Sequence, residues 1–567
     1  MNFLNTNKET PLKIITLSGT ESVTKNMTLY EYGDDIIIVD CGVGFPDADL
    51  LGVNVVIPDF SYVLENSHKI RGLFVSHGHE DHLGAVPFLL EQLDVPIYTS
   101  KLVQGFLQER LSEKPFKHLA EKARFHIISP DSGPVSLGTA FKVEAFGINH
   151  SVPSSFGLAI RSPQGIVLHM QDFKIDWTPV LDKPIDLVKI AGYAKEGVLC
   201  LLSDCLNVTT EGYSKSESTL NDTFATLFEN AENRQVFVTT ISSNLSRMHQ
   251  IISAAQKHGR HVVISGRSIE QSVAVGRRLG YLPFDNNLFV AEEDASRYLQ
   301  GDLVYIIAGC YGQEGSALSR VARGEHKHIN LETNAMVVFS ADPNPPGVEL
   351  DVEKLMSILT IAGAEVIYSK IQDNLHVSGH GPRGDLMTIA AVVKPQYFIP
   401  IGGTITRMRV YSNMVRDMGI NNKERVFECM EGDVIEFSKD GAKRAGKIAT
   451  QPVYIDANKT GEVNPVVIKD RDLLSTDGVF VVVVPMSKSG EILADRVDVV
   501  TRGFIYVKGS QELMDKSRKF IAKEITKNNE KAKDWQAMKR KLENEIEYFL
   551  RKETSKAPMV IVHAVTI

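Results

Sequence analysis

At 567 residues the chain is too long for one hydrophobic core, so two or three domains are expected. Its 43% hydrophobic and 23% charged residues are ordinary for a folding, globular protein and exclude a disordered or fibrous chain. A net charge of −8 argues against a generally basic nucleic-acid coat, although a local groove can stay positive while the rest of the surface repels.

The first residues, MNFLNTNKETPLKI, carry no basic, apolar leader, and no run of about 18 apolar residues follows anywhere. Neither a signal peptide nor a membrane span is indicated, and a cytoplasmic location is expected. Short apolar strands then alternate with amphipathic segments: LKIITLSG, DDIIIVDCG, GLFVSHGHE and VPIYTS, with a helical PFLLEQL between the last two. This is α/β or α+β patterning. Five cysteines, far apart except for Cys200 and Cys205 and without CxxC spacing, support neither a disulfide framework nor a cysteine zinc site.

The stretch SHGHEDHLGAVPFLL, residues 76–90, places three histidines and two acids within six residues directly after a buried apolar run. His77 and His79 can both turn toward one pocket if the backbone kinks, and Gly78 permits a kink. Neutral imidazole is the commonest zinc ligand, while Asp81 and His82 add an oxygen and a nitrogen for a second ion. Two such ions can activate a water and hold both oxygens of an in-line phosphodiester displacement. The bland alternative is a polar surface turn, which fits HxHxDH after a buried strand poorly.

Between about Glu211 and Asn374 the rhythm changes to strand and helix pairs, RQVFVTTISSN before SRMHQIISAAQKHG and HVVISG before RSIEQSVAVGRRLGYL. This predicts a separate doubly wound domain. After Gln451 the polar DANKTGEVN reads as a linker, followed by the strand DGVFVVVVP and a long charged segment. Within it Trp535, Met538, Leu542, Ile546 and Phe549 fall three or four apart, the spacing of one buried helical face.

HGHEDH resembles the signature of the metallo-β-lactamase fold, with Asp40 in IIIVDCG at the acid that ends an early strand of that fold. His150 in FGINHSVPSSFG and Asp172 in HMQDFKID match the third histidine and the bridging carboxylate. The resemblance implies one metal site of His77, His79 and His150, another of Asp81 and His82, and Asp172 shared. The inserted doubly wound domain resembles the β-CASP group. LLSDCLNVTTEGYSKSE, DNLHVSGHG, RGFIYVKGS and FLRKETSKAPMVIVHAVTI are similar to ribonuclease J, in the same order along essentially the whole chain.

That resemblance implies an α/β architecture: a metallo-β-lactamase αββα sandwich (1–215 and 376–450) split by a β-CASP insert (216–375), then a linker (451–470) and a small α+β domain (471–567). It implies zinc, with manganese or magnesium as alternatives, and RNA bearing a 5′-monophosphate as substrate. His376, Val377, Ser378, Gly379 and His380 would bind the RNA phosphate, His380 would stabilise the transition state, and Asp81 and His82 would lie near the attacking water. Partners would be a ribonuclease J paralogue or a second copy, in dimers or tetramers.

The chain also departs from the family pattern. In YFIPIGGTITRM, Gly402 stands where the family has a metal-binding histidine and Thr404 where it has an acid. AGCYGQEG replaces a Gly-Ser-Gln-Gly-Glu loop, SGTESVTKN replaces a glycine-rich loop, and Cys205 and Leu206 follow Asp204 in place of serine and threonine. The expectation is a ribonuclease, 5′→3′ exonuclease and endonuclease, of weakened activity. The competing reading is a largely non-catalytic RNA-binding or assembly subunit. A small-ester hydrolase is disfavoured by the insert and by HVSGHG.

Overall fold

The computed structural model describes residues 10–20, 23–46, 50–342, 348–420, 425–456, 465–488, 491–505, 510–529 and 535–567. These fall into two compact units, Met1–Phe45 with Val56–Val453 and Pro46–Val55 with Tyr454–Ile567.

The larger unit contains a sandwich of two sheets. One is eight-stranded, in the order Gly441–Lys447, Asp433–Ser438, Leu12–Ser18, Met27–Tyr32, Asp35–Val39, Ile70–Val75, Ile97–Thr99 and Phe125–Ile127. The other is six-stranded: Tyr397–Ile401, Val198–Asp204, Gly165–His169, Phe156–Ser162, Phe141–Gly147 and Val135–Leu137. Ile37, Phe74, Leu158, Leu202 and Phe437 interdigitate between them. Helices Leu187–Glu196, Arg383–Val393 and Ile405–Asp417 cover the outer face of the second sheet through Ile190, Leu386, Met408 and Tyr411. Covered on both sides, Val198–Asp204 is buried at every residue, which is why VLCLLSD reads as an unbroken run.

The insert leaves and re-enters the sandwich at one place. Tyr397–Ile401 pairs parallel with Val198–Asp204, and Asp204 faces Ile401. Between them lies a wholly parallel six-stranded sheet in the order Phe289–Val290, His261–Ser265, Leu303–Ile307, Val236–Thr239, Met336–Phe339 and Glu365–Ile367. Helices Leu220–Asn230, Leu245–Lys257 and Arg267–Arg278 pack on one face, and Ala317–Ala322 and Glu349–Ile361 on the other. This is the doubly wound pattern read from the alternation of strands and helices.

A buried ionic cluster ties insert to sandwich. Lys174 and Asp176 come from the sandwich, Glu217 and Arg247 from the start of the insert, with Lys174 Nζ 3.3 Å from Glu217 Oε1 and Arg247 Nη2 2.9 Å from Glu217 Oε2. Arg247 also donates to the carbonyls of Ser340 (3.0 Å) and Leu375 (3.2 Å), so its charge is paired and Nη1 is hydrogen-bonded, while the buried Nε has no partner.

In the smaller unit, Asp498–Arg502, Val479–Met486 and Met559–Thr566 form a three-stranded sheet backed by helices Gln511–Asn529 and Trp535–Thr554. The periodicity places the buried face of the last helix well. Met538, Leu542 and Ile546 are buried, Trp535 and Phe549 pack at its edge, and Leu550 extends the stripe by one more turn. Of the linker stretch, residues 457–464 lie outside the described residues, as do Tyr506–Gly509 of RGFIYVKGS and Glu21 and Ser22 of SGTESVTKN. Residues 465–470, read as the end of the linker, are the first turns of helix Pro465–Thr476, where proline suits the opening position.

Burial works against the Glu217 charge, but Arg247 and Lys174 outweigh it and hold the carboxyl at about 2, below the ordinary 4.5. A depressed carboxylate stabilises the fold above its unfolded pKa and loses that contribution as pH falls toward the folded one. Here the window runs from about pH 4.5 down to about 2 and spans about 3 kcal/mol. Urea unfolding across this range is expected to show a steeper acid loss in the native chain than in Glu217→Gln. Equal slopes would mean the cluster does not titrate as described.

Candidate metal centre

The site lies where strands of both sheets end. Asp35–Val39 and Ile70–Val75 run parallel and deliver Asp40 and Ser76–His77 side by side. Asp40 takes a left-handed backbone (φ 62°), and its carboxylate accepts from Ser76 N (2.8 Å), Ser76 Oγ (3.0 Å) and His82 Nδ1 (2.6 Å). One acid thus holds both ends of the HGHEDH loop. The loop's short helix, Glu80–Leu83, is wrapped by the backbone of Cys41 and Val43, which donate to the carbonyls of His82 (2.9 Å) and Glu80 (3.0 Å). A Cβ at Gly42 would stand 1.6 Å from the Asp81 carbonyl oxygen, so only glycine fits there. Gly78 proves necessary for closeness rather than for a kink: its φ is not left-handed, but a Cβ would meet the Phe106 ring at 2.6 Å.

Four imidazoles face one another. The ring centroids of His77, His79 and His150 are 4.8–5.0 Å apart, and His77 and His82 are 4.0 Å apart. Ser76 Oγ lies 2.9 Å from His77 Nδ1, leaving the buried His77 Nε2 with no hydrogen-bond partner. His150 Nδ1 donates to the Gly379 carbonyl (2.7 Å), which leaves its Nε2 turned to the centre, 3.0 Å from His79 Nδ1. Asp172 follows Gln171, another left-handed residue (φ 62°), and its Oδ2 is 3.1 Å from His82 Nε2 and 3.8 Å from His77 Nε2.

Ligand atoms lie within 4.8 Å of one another in three groups: His77, His79 and His150; His77, His82 and Asp172; and His150, Asp172 and His380. The sequence-derived triad of His77, His79 and His150 therefore converges, and so do His82 and Asp172. Asp81 stands at the edge of the cluster, 3.4 Å from His82 Nε2, and hydrogen-bonds Asn26. His380, expected at the phosphate, also faces His150 and Asp172.

Electrostatics sorts the histidines. Burial, reinforced by neighbouring imidazoles, pushes His77 and His150 well below the ordinary histidine range, and burial takes His79 down to about 4. Burial also works against the charged forms of His82 and the less deeply placed His380, but there acids outweigh it. Asp172, Asp81 and Asp40 raise His82 well above the ordinary range, and Asp204 with Asp172 raise His380 to about 9. Three neutral imidazoles with an orphaned nitrogen and a carboxylate held ionised make a donor set that suits a divalent cation such as zinc.

The HVSGHG loop closes the site from the insert side. Val377 is embedded in the insert's core, and at the half-buried His376 burial and the nearby Arg247 guanidinium lower the pKa to about 3 against the opposing pull of Glu217. Ser378 Oγ accepts from His380 N (3.1 Å), and a Cβ at Gly379 would strike the His150 ring at 2.6 Å. Sequence reasoning passed over Asp204, whose Oδ2 accepts from His380 Nδ1 at 2.7 Å. It also passed over the supports Asn26, Ser76 and Ser151. Gly402 has φ +68° and faces the cluster: a Cβ there would lie 3.4 Å from Asp204 Oδ1 and 3.6 Å from Asp172 Oδ1.

Three family descriptions match the chain: Metallo-beta-lactamase superfamily over residues 23–169, Ribonuclease J, beta-CASP domain over 233–359, and Ribonuclease J C-terminal domain over 466–567. Ribonuclease J2 of Bacillus subtilis is 33% identical over 551 residues, covering 97% of this chain and 98% of that protein. Ribonuclease J of a Synechocystis species is 35% identical, covering 97% of this chain and 86% of that protein. A crystal structure of a protein of unknown function from Enterococcus faecalis superposes with TM-score 0.53 at 16% identity, over 75% of this chain and 100% of that one, a likeness of fold.

Asp40 orients His82 without entering the cluster. Replacing it by asparagine keeps the shape but removes the charge behind the imidazole. Asp40→Asn is expected to weaken divalent-metal binding by about 10–100-fold, read by chelator competition, with little change in melting temperature. Unchanged metal affinity would refute the orienting role.

Proposed function

The chain belongs to the ribonuclease J family, and from that premise we propose that it is a metal-dependent RNA hydrolase of low intrinsic turnover. We assign it RNA with a 5′-monophosphate end, degraded 5′→3′ and also cut internally, in RNA maturation and decay. The observation that carries the reading is the contact between the two halves of the site. The glycine loop HVSGHG, which offers Ser378 Oγ and bare backbone to a phosphate, lies directly on His150 of the metal cluster.

His77, His79 and His150 would hold one divalent ion, and His82 with Asp172 a second. When bound, zinc, or manganese or magnesium in its place, supplies positive charge that polarises the phosphodiester and favours deprotonation of a water. The chain's own residues do the rest. Asp81, at the edge of the cluster beside His82, orients that water and receives its proton. Ser378 and the loop backbone fix the phosphate. His380, kept cationic by Asp204, directs its Nε2–H at oxygens that gain charge in the transition state.

Gly402 is the reason for assigning low turnover. It faces the cluster between Asp172 and Asp204 and brings no ligand atom, so one metal is held firmly and the other weakly. The same residue favours a second reading, an RNA-binding or assembly subunit paired with an active ribonuclease J paralogue in a dimer or tetramer. No described helix is long and apolar enough to cross a membrane, and the cytoplasm, where RNA turnover takes place, is the proposed location.

The test is cleavage of 5′-monophosphorylated RNA by the pure chain with added manganese, against a His77→Ala, His79→Ala control that excludes contaminants. Gly402→His is expected to raise bound metal from nearer one toward two per chain and cleavage by about 10–100-fold. The left-handed backbone there will cost roughly 1–2 kcal/mol when it carries a side chain. More metal without more cleavage would favour the assembly reading. No change in either would mean that Gly402 does not occupy a vacated ligand position.

A further inference from the structure

We propose that the sandwich carries a second small-molecule site, separate from the metal centre, that takes an organic ammonium ion with an apolar body. A cavity of about 720 Å³ opens beside the loop that follows His150, between the ends of strands Phe125–Ile127 and Phe141–Gly147 and the insert's Tyr281. None of the metal-cluster residues lines it. The volume suits a small organic molecule.

The cavity holds an acid with no cation of its own. The half-buried carboxylate of Asp182 accepts from Ser154 N at 2.9 Å, and no described residue ion-pairs it. Burial lifts its carboxyl to about 6 against the Ser154 N–H, and the Asp176 charge adds to the rise. Two lysines also reach the cavity, but Lys183 lies 3.9 Å from the exposed Asp131, Lys101 is exposed, and neither contacts Asp182. A carboxylate drawn from water without a cation is costly, and a bound ammonium would supply the missing charge.

The acid is also held still. Ser154 takes a left-handed backbone (φ 60°), and while its N–H donates to Asp182 its hydroxyl lies 2.6 Å from Tyr281 Oη. Asn149 clamps the segment that carries Asp182, donating to the Lys183 carbonyl (2.9 Å) and accepting from Ile185 N (2.8 Å). An acceptor fixed before the ligand arrives loses little freedom on binding.

An independent observation points to a ligand with an apolar body. Trp177, Val188 and Ile127 line the same cavity, yet are 62%, 86% and 40% exposed. Large apolar side chains left in water around one opening mark a binding site. The indole face attracts a cation as well as a hydrocarbon. The ligand is therefore a free amine, its ammonium on Asp182 and its chain or ring against Trp177 and Ile127. This recognition needs neither metal nor RNA, so it stands apart from the hydrolase reading.

The experiment measures binding of phenethylamine and of its neutral counterpart 2-phenylethanol to the full chain as purified, by equilibrium dialysis. The native chain is expected to bind the amine at least about tenfold more tightly than the alcohol, because a hydrogen bond to a charged group is the stronger kind. Asp182→Asn keeps an acceptor for Ser154 N and removes the charge. It is expected to lower amine affinity about tenfold while leaving alcohol binding, melting temperature and metal content unchanged. Trp177→Ala, at an exposed position, is expected to weaken the amine by about threefold or more. The chain has two tryptophans, so in Trp535→Phe the emission reports Trp177 alone, and quenching by the amine would place it in this cavity. Equal affinity of the native chain for amine and alcohol would overturn the ammonium assignment. Amine binding unchanged in both Asp182→Asn and Trp177→Ala would overturn the site.

Discussion

The parallel pairing of Val198–Asp204 with Tyr397–Ile401 is the contact on which the rest depends. It closes the sandwich across the whole insert, and its register sets Asp204 opposite Ile401, so that the strand ends carry Asp204 and Gly402 to one point. The neighbouring strand Gly165–His169 ends beside them and supplies Asp172, while in the facing sheet the parallel strands Asp35–Val39 and Ile70–Val75 supply Asp40 and His77. Strands end in phase because parallel ladders fix register over their full length. The site is therefore a consequence of sheet topology before it is a consequence of any loop.

At three of those strand ends the backbone turns left-handed: Asp40 at φ 62°, Gln171 at φ 62° and Gly402 at φ 68°. An extended strand sends successive side chains to opposite faces, which would separate neighbouring ligands. At Gln171 the left-handed residue breaks the alternation just before Asp172, whose carboxylate reaches His82, and two of the three left-handed residues bear side chains that strain the conformation. Hydrogen bonds offset that strain at Asp40, which accepts from both Ser76 and His82. Each histidine whose pKa is raised is in turn backed by a strand-end acid, His82 by Asp40 and His380 by Asp204. The same arrangement is thus built twice, once from each sheet.

What could be read from the sequence follows the distance over which each feature is encoded. HGHEDH is a local motif after a buried strand, so its convergence with His150 was legible, as was the doubly wound insert from its repeated strand and helix pairs. The hydrogen bond between His380 and Asp204 joins residues 176 apart, and Asp204 looks like one more acid at the end of an apolar run. Its only signal was position at the end of a strand buried on both faces. Gly78 was read as a hinge because glycine's freedom is visible in sequence, whereas the ring of Phe106 that actually demands it is not. His376 was grouped with its loop, but its burial toward Arg247 depends on the cluster formed by Lys174, Glu217 and Arg247.

Gly402 shows how a lost side chain and its surroundings accommodate each other. With no ligand at that position, Asp172 and Asp204 remain close to the same point, two buried acids that repel. Burial, together with Asp172, raises the Asp204 pKa despite the opposing pull of His380, so the charge of Asp204 is costly there. The imidazolium of His380, hydrogen-bonded to Asp204 and facing Asp172, supplies the compensating positive charge from the loop that follows the insert. That loop is fixed in turn by Val377 in the insert core and by Gly379 against His150. The dependence runs both ways: the loop by which the chain returns from the insert holds the charge that keeps the sandwich's acids together, and those acids favour the charged form of His380, so a chain lacking one ligand can still keep the two halves of its site in register.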